Sequence, residues 1–432
     1  MAVVRMRVET VAAICALVGS LVFLNSLGLQ LCFDDTAAVK DNADLRPNVS
    51  WFNLLRNDFW GTEISHRDSH KSYRPLTVAT FRLNYMLHEL EPLGYHLVNV
   101  LLHSAVVYLY VLLCGVVFSE VWPALIAGLL FAVHPIHTEA VSGVVGRADV
   151  LSCLFFIGSI LTYKKSLSTK NSALFMMCTL LLAVCSALSK EIGITVVAMC
   201  PIYEVLIHRK MNLRNILRII LGMRRRNKPS IEAENRWLKS LLFRTAVIGS
   251  FALTFLYLRL KLNKTPPIFS VSNNPAMKFP TPFRQLHWSY LCVYNVWLLL
   301  SPSQLCAEYA MGTIPPVASL SDPRNLLTLA TFAGLLSLSC YSASYSHSHH
   351  RKIMFGLCLT VLPFLPASNL FFPVGFVIAE RVLYIPSMGF CLLVSYGFHL
   401  LVSNSKRFSP FFKSVIVFLL LVHGIKTVVR TR

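Results

Sequence analysis

Charged residues are scarce in this sequence. Only 14% of its 432 residues are charged and 55% are hydrophobic, whereas a soluble domain carries about 25% charge. The mean hydropathy is +0.59. This deficit excludes a soluble globular domain, and we expect an all-α polytopic membrane protein.

Acidic residues are the scarcer of the two charge types, which leaves a net charge of +20. That charge could indicate a nucleic-acid partner, and Arg224-Arg225-Arg226 is the sharpest candidate for RNA binding. However, basic residues concentrate between Arg209 and Lys239, where the only acids are Glu232 and Glu234. This positive-inside bias favours a cytosolic loop lying on anionic lipid, and we expect no nucleic-acid partner.

A disulfide framework is also lacking. The twelve cysteines lie mostly inside apolar segments, and Cys32 with Cys306 is only a weak candidate pair. Asn48 and Asn263 each open a glycosylation sequon, although Pro266 makes the second a poor acceptor. Both sequons fall on the side that the charge rule predicts to be luminal.

Long apolar runs are plentiful. They predict membrane helices near 8–31, 95–118, 121–136, 148–163, 172–188, 191–207, 240–259, 286–302, 326–342, 353–371, 382–402 and 411–429. We interpret the first as a retained signal anchor rather than a cleaved signal peptide. If 286–302 is re-entrant or interfacial, eleven crossings remain, with a cytosolic N-terminus and a luminal C-terminus.

The first apolar run is followed at once by two adjacent carboxylates, Asp34 and Asp35. They should lie where a helix leaves the bilayer, half desolvated and facing a lipid-borne substrate. A general base placed there is one interpretation. Ordinary solvated acids at a helix end are the alternative.

Further polar residues cluster at the predicted luminal ends of other helices. Four bases recur there and would suit an anionic lipid headgroup: Arg74, Arg147, Lys190 and Arg381. A supporting polar cluster comprises His134, His137, Glu139, Asp149, Glu191 and Glu380.

Each of these clusters has a structural alternative. His134, His137 and Glu139 could bind a metal, but Pro135 interrupts the helix and the spacing is weak support. Lys190 and Glu191 could simply cap two helices. Arg147 with Asp149 could be turn chemistry, and Glu380-Arg381 could form a structural ion pair.

Several of these motifs occur together in one known family. The motifs are Phe33-Asp34-Asp35 with Asn42-x-Asp44, Tyr73-Arg74-Pro75-Leu76, His134-Pro135-Ile136-His137-Thr138-Glu139, Gly146-Arg147-Ala148-Asp149, Ser189-Lys190-Glu191 and Ala379-Glu380-Arg381-Val382-Leu383-Tyr384. In this order they resemble the transmembrane O-mannosyltransferases that carry tetratricopeptide repeats. The segment 271–325 also resembles the middle region of that family, although Ala307-Glu308-Tyr309 departs from its usual Asp-Trp pair.

The resemblance implies a GT-C-type glycosyltransferase fold in the endoplasmic reticulum membrane. It implies dolichyl phosphate mannose as donor and Ser or Thr on cadherin-type domains as acceptor. Combined with the carboxylate pair, it leads to the hypothesis of a single, inverting displacement with Asp34 or Asp35 as general base. The donor charge would be held by the four bases, so no cofactor and no divalent metal are expected. No 34-residue repeat occurs in the sequence, so the repeats of the family are absent.

These expectations divide the chain into five parts. They are a signal-anchor span (1–31), a luminal catalytic loop (32–94), membrane helices (95–207), a basic cytosolic loop (208–239), and further membrane helices (240–429) that include the family-specific middle segment (260–325). Three other functions stay open, namely a non-catalytic membrane scaffold, a transporter of lipid or lipid-linked sugar, and a transferase that acts on a glycan.

Overall fold

The computed structural model describes residues 7–211, 215, 228–263, 273–306, 309, 312–344, 348–405 and 407–431. Several residues of the sequence argument lie outside the described residues: Arg224, Arg225, Arg226, Lys264, Thr265, Pro266, Ala307 and Glu308.

Within the described ranges the fold is all-α, as predicted. The helices are α1 Val8–Val22, α2 Pro75–His88, α3 Pro92–Phe118, α4 Val121–Val133, α5 Thr138–Ser142, α6 Arg147–Ser166, α7 Ser172–Ser189, α8 Val196–Tyr203, α9 Lys228–Asn263, α10 Phe283–Leu300, α11 Arg324–Ser344, α12 Ser348–Phe364, α13 Tyr384–Asn404 and α14 Ser409–Arg430. Short 3-10 or π turns connect several of them, including Leu24–Gly28, Thr36–Lys40, Glu191–Thr195 and Glu380–Leu383.

Each of the twelve predicted apolar segments coincides with a helix. Among the described residues, eight helical stretches are long and apolar enough to cross a bilayer, or nine if α4 and α5 form one bent span. The helices α6, α10 and α12 are not among them. The charges of α6 and the shortness of α12 explain two of these cases. The chain is a multispanning membrane protein, while eleven crossings and a re-entrant α10 stay predictions.

Several predicted boundaries differ from the observed ones, and three of them show why. Helix α9 begins at Lys228, inside the segment predicted as a cytosolic loop to residue 239, because its polar first turns carry no hydropathy signal. Helix α3 begins at Pro92, where proline at the first position suits a helix start. Helix α12 ends at Phe364, short of the predicted residue 371.

The centre of the bundle is formed by α1, α3, α4, α6 and α13, whose facing side chains are apolar and buried. Small residues allow the helices to approach closely, as is usual in membranes. A Cβ atom added at Gly128 would lie 2.3 Å from Cγ2 of Val111, and one at Gly389 would lie 2.4 Å from the carbonyl oxygen of Gly356. In contrast, α9 and α11 expose most of their apolar surface, as expected of helices that face lipid.

The segment between α1 and α2 is folded around a buried carboxylate, Asp58. One oxygen accepts the N–H groups of Trp60 and Thr62 at 2.9 and 3.0 Å. The other accepts the Ser69 hydroxyl at 2.7 Å and the His70 N–H at 3.1 Å. These bonds fix the loop that begins with Asp34 and leads into α2.

Candidate active site

The structure brings Asp34 into contact with Arg381. The Nη2 group of Arg381 donates to Oδ2 of Asp34 at 2.9 Å, and the two side chains are 23% and 49% exposed. Asp34 follows the turn that ends α1, and Arg381 lies in the 3-10 turn that opens α13. Among the described residues no donor reaches the other oxygen of Asp34. An accessible carboxylate and an arginine therefore share one polar surface.

Asp35 occupies a different environment from its neighbour. It is 3% exposed, and its Oδ1 accepts the N–H of Val145 at 2.8 Å. Burial raises the pKa of Asp35 above its ordinary value, although the N–H groups of Val145, Val144 and Cys32 act in the opposite direction. The sequence could not separate the two aspartates. The structure presents Asp34 to solvent and uses Asp35 to fasten the loop to the segment before α6.

Glu139 completes a carboxylate pair around Arg381. Its Oε2 accepts the backbone N–H of Arg381 at 2.9 Å, and its Oε1 lies 3.4 Å from Nε of the same residue. Because Glu139 is on α5, this contact ties the His134–Glu139 motif to the start of α13. Arg381 is thus held between two acids that come from distant parts of the chain.

Two further ion pairs lie next to this group. Lys190 donates to both carboxylate oxygens of Asp149, and both side chains are buried. Arg74 pairs with Glu191, with Nη2 at 3.0 Å and Nε at 3.1 Å from Oε2. Arg74 and Arg381 are close enough to Lys190 to act on it electrostatically. Three of the four predicted phosphate-binding bases therefore form one cluster.

Arg147 lies apart from this cluster in its contacts. It is fully buried, and its donors are taken by the side-chain oxygens of Asn99 at 2.8 Å and Asn84 at 2.6 Å and by the Tyr95 carbonyl at 2.9 Å. Its guanidinium also covers the Phe81 ring, 4.7 Å from the centroid. These contacts occupy its donors and differ from the turn pairing with Asp149 that the sequence suggested, so we do not include Arg147 in the proposed donor site.

His134 and His137 are buried and hydrogen-bonded in the helix bundle. Nδ1 of His134 accepts the N–H of Ile136 at 3.2 Å, so its Nε2–H donates to the Leu299 carbonyl, also at 3.2 Å. His137 reaches the Ser387 hydroxyl at 2.8 Å. Within the described ranges, no three His, Cys, Asp or Glu side chains are grouped to hold a metal ion. The geometry favours structural roles for both histidines.

Glu380 is also buried, and its hydrogen-bond partners differ from those of its neighbour Arg381. One oxygen accepts the Tyr309 hydroxyl at 2.9 Å and the Cys306 N–H at 2.8 Å, and the other accepts from Arg430. Glu380 and Arg381 thus do not pair with each other. Glu380 connects the middle segment and α14 to the turn that carries Arg381.

The two sequons differ in accessibility. Asn48 and Ser50 are exposed, as glycosylation at Asn48 requires. The side-chain oxygen of Asn263 accepts from Nη1 of Arg259 at 2.6 Å. Modification of either asparagine stays a prediction.

Sequence reasoning missed two arginines near this region, Arg259 and Arg430. Arg259 donates to the Lys71 carbonyl at 2.5 Å and lies over the Tyr73 ring, 4.9 Å from its centroid. Arg430 contacts Glu380. Both stand at the end of an apolar helix, where a basic residue is an ordinary helix terminator. Their position at helix ends on the predicted luminal side was the only available signal.

Several known proteins that are similar in sequence to this chain carry one family name. A family model described as "Protein O-mannosyl-transferase TMTC, DUF1736" matches residues 263–336. Mouse Protein O-mannosyl-transferase TMTC3 is 45% identical over 413 residues, which are 94% of this chain and 44% of the mouse protein. Drosophila melanogaster Tmtc3 is 41% identical (96% of this chain, 49% of that protein), and human TMTC4 is 37% identical (99% and 59%).

A solved structure, the archaeal oligosaccharyltransferase AglB from Archaeoglobus fulgidus in complex with an inhibitory peptide and a dolichol-phosphate, also resembles the chain. Its TM-score is 0.49 at 12% identity, with 98% of this chain and 55% of that chain covered. This chain spans about half the length of the curated relatives it matches. From the sequence similarity over nearly its whole length, the chain belongs to the TMTC family of protein O-mannosyl-transferases.

Proposed function

We propose that this chain transfers mannose from dolichyl phosphate mannose to Ser and Thr hydroxyls of secretory-pathway proteins, with cadherin-type domains as acceptors. The observation that carries the proposal is the contact between Asp34 and Arg381, which joins a carboxylate to a phosphate-binding type of side chain. The names of the relatives supply the reaction class.

Asp34 is suited to the role of general base. Its free oxygen accepts the proton of the acceptor hydroxyl while the hydroxyl oxygen forms a bond to the anomeric carbon. The bond from that carbon to the donor phosphate breaks, and dolichyl phosphate leaves with the electron pair. A base within hydrogen-bond reach contributes roughly 10²–10⁴-fold to the rate. A single displacement of this kind inverts the configuration at the sugar.

Arg381 and Arg74 are suited to holding the phosphate, and the charge of the buried Lys190 adds to the positive potential near them. Arg381 is the most direct candidate, because it contacts the proposed base and is partly exposed. When the donor phosphate binds, it competes with Asp34 for the guanidinium, and Asp34 is then released to accept the proton of the acceptor hydroxyl. Preorganised charges of this kind stabilise a departing phosphate without a metal ion.

The proposed location follows from the charge pattern. The basic segment 208–239 would face the cytosol, and Asp34 with Arg381 would face the lumen of the endoplasmic reticulum. There a lipid-linked donor and a secreted acceptor can meet. The N-terminus is then cytosolic and the C-terminus luminal.

The experiment uses membranes that express this 432-residue chain, radiolabelled dolichyl phosphate mannose and a purified cadherin domain. We expect labelled mannose on the domain, released by base-catalysed elimination from Ser and Thr. A transporter would instead move the labelled donor across liposomes without any acceptor, and a scaffold would do neither. Good expression of the chain without transfer would contradict the proposal.

A further inference from the structure

We propose that Arg430, on the last helix, is a positioning residue that acts through Glu380 to hold Arg381 beside Asp34 and Glu139. The proposal rests on the proposed function for its kinetic part. Its structural part stands without it.

Glu380 is a junction of three segments. Its carboxylate is fully buried and takes donors from Arg430 on α14, from the Tyr309 hydroxyl at 2.9 Å and from the Cys306 N–H at 2.8 Å. A buried carboxylate needs such compensation, because burial without partners penalises the charged form. Arg430 supplies the positive charge among these three donors. Without Arg430, the Glu380 carboxylate would remain charged and would lack one of its three donors. Either the turn would then shift or the carboxylate would take up a proton.

The turn that would move is the one that carries Arg381. Arg381 directly follows Glu380, and its own backbone N–H donates to Glu139 at 2.9 Å. The Glu380 side chain contacts Arg430, whereas the Arg381 side chain contacts Asp34 and Glu139. A shift of the Glu380 backbone therefore displaces Arg381 relative to Asp34.

The same end of α14 touches other elements that bear the site. Arg430 also donates to the Pro135 carbonyl at 3.4 Å, and Thr427 donates to the Val133 carbonyl at 2.8 Å. Asn25, in the turn after α1, donates to the Val428 carbonyl at 3.3 Å. Helix α14 thus braces the segment before Asp34, the segment before Glu139 and the turn before Arg381.

Arginine suits this position better than lysine. Its Nη1 group serves both the Glu380 carboxylate and the Pro135 carbonyl. A lysine ammonium can donate to the same two oxygens, but on its flexible stem it fixes their directions less firmly. Arg430→Lys should therefore restore only part of what Arg430→Met removes.

The first readout needs no enzymatic activity. Cys32 is exposed and lies two residues before Asp34. Its alkylation rate, measured on the Cys32 peptide by mass spectrometry, reports on the loop that Arg381 holds. We expect faster alkylation in Arg381→Met and in Arg430→Met. Lys413→Met, at an exposed position of the same helix, should match the wild type.

The second readout is the division between donor and acceptor kinetics. We expect Arg430→Met to reduce kcat/KM for the donor on the order of 10²-fold, because displacing a positioned group by about 1 Å costs that much. The KM for the acceptor should not change. Arg430→Lys and Glu380→Gln should fall between Arg430→Met and the wild type.

Two results would overturn the inference. One is wild-type alkylation of Cys32 in Arg430→Met while Arg381→Met is clearly faster. The other is an Arg430→Met variant that accumulates poorly but whose folded fraction keeps the wild-type kcat/KM for the donor, which would make Arg430 merely structural. If the wild-type chain transfers no mannose, the proposed function fails, yet the alkylation rates still decide whether Arg430 positions the turn.

Discussion

Asp34 and Arg381 are separated by 347 positions in the sequence, and a 2.9 Å hydrogen bond joins their side chains. The same arginine contacts Glu139. Three segments that are distant in the chain therefore converge on one guanidinium. A lipid-linked anion and an acceptor hydroxyl could approach the Asp34–Arg381 contact from its solvent-exposed side.

Arg381 should not tolerate lysine. A lysine cannot hold Asp34, Glu139 and a phosphate in the planar geometry of a guanidinium. We expect Arg381→Lys to raise the KM for dolichyl phosphate mannose at least about tenfold, equivalent to roughly 1.4 kcal/mol. Initial rates at varied donor concentration test this, with Arg67→Lys in the exposed part of the loop as the control. A wild-type KM would remove Arg381 from the donor site.

The buried pair of Lys190 and Asp149 should be sensitive to the loss of one partner. Removing one member leaves a buried charge uncompensated, which typically costs about 3–5 kcal/mol. We expect Lys190→Met to lower the Tm of the detergent-solubilised protein, and the double variant Lys190→Met/Asp149→Leu to recover part of the loss. Lys170→Met, at an exposed position, is the control. Equal Tm values for all four proteins would show that the pair is not structural.

Asp35 should make the stability depend on pH. Its raised pKa means that protonation is easier in the folded state than in the unfolded state. This contribution to stability is present below the ordinary aspartate pKa of about 3.9 and is lost as the pH rises through the raised value. The asparagine in Asp35→Asn cannot titrate, so this variant does not lose that stability as the pH rises. Its Tm minus the wild-type Tm should therefore increase between pH 4 and pH 7, and a constant difference would contradict the assignment.

Transfer should not require a divalent metal. In the proposed site the donor charge meets Arg381, Lys190 and Arg74 rather than a metal ion. We expect chelation with EDTA to leave the transfer rate unchanged, and added Mg²⁺ or Mn²⁺ to have no further effect. A loss of activity that one of these ions restores would show that the phosphate is held in another way.

The sequence predicted the helices better than it predicted the roles of single residues. All twelve apolar segments coincide with helices, and they were predictable because hydropathy depends on composition alone. The different environments of Asp34 and Asp35 were not predictable from the sequence. Asp35 is bonded to the N–H of Val145, a residue far away in the chain, and nothing local indicates this contact. Arg147 looked like a phosphate ligand, and only the packing shows Asn84, Asn99 and Tyr95 around it.

The contact between Arg430 and Glu380 could not be predicted either, because it joins residues that are distant in the chain. A basic residue after an apolar run is common at a helix end, and nothing local marks it as the partner of a buried acid. Glu380 and Arg381 are neighbours and suggested a mutual ion pair. In the fold they face Arg430 and Asp34 respectively.

The most direct test of the account is mannosyl transfer by Asp34→Asn beside Asp68→Asn. Both positions lie in the same loop, and Asp68 is 83% exposed with only His66 as its ionic partner among the described residues. We expect Asp34→Asn to lose transfer by roughly 10²–10⁴-fold at wild-type expression, and Asp68→Asn to retain it. Wild-type transfer by Asp34→Asn would contradict the assignment of this carboxylate as the base.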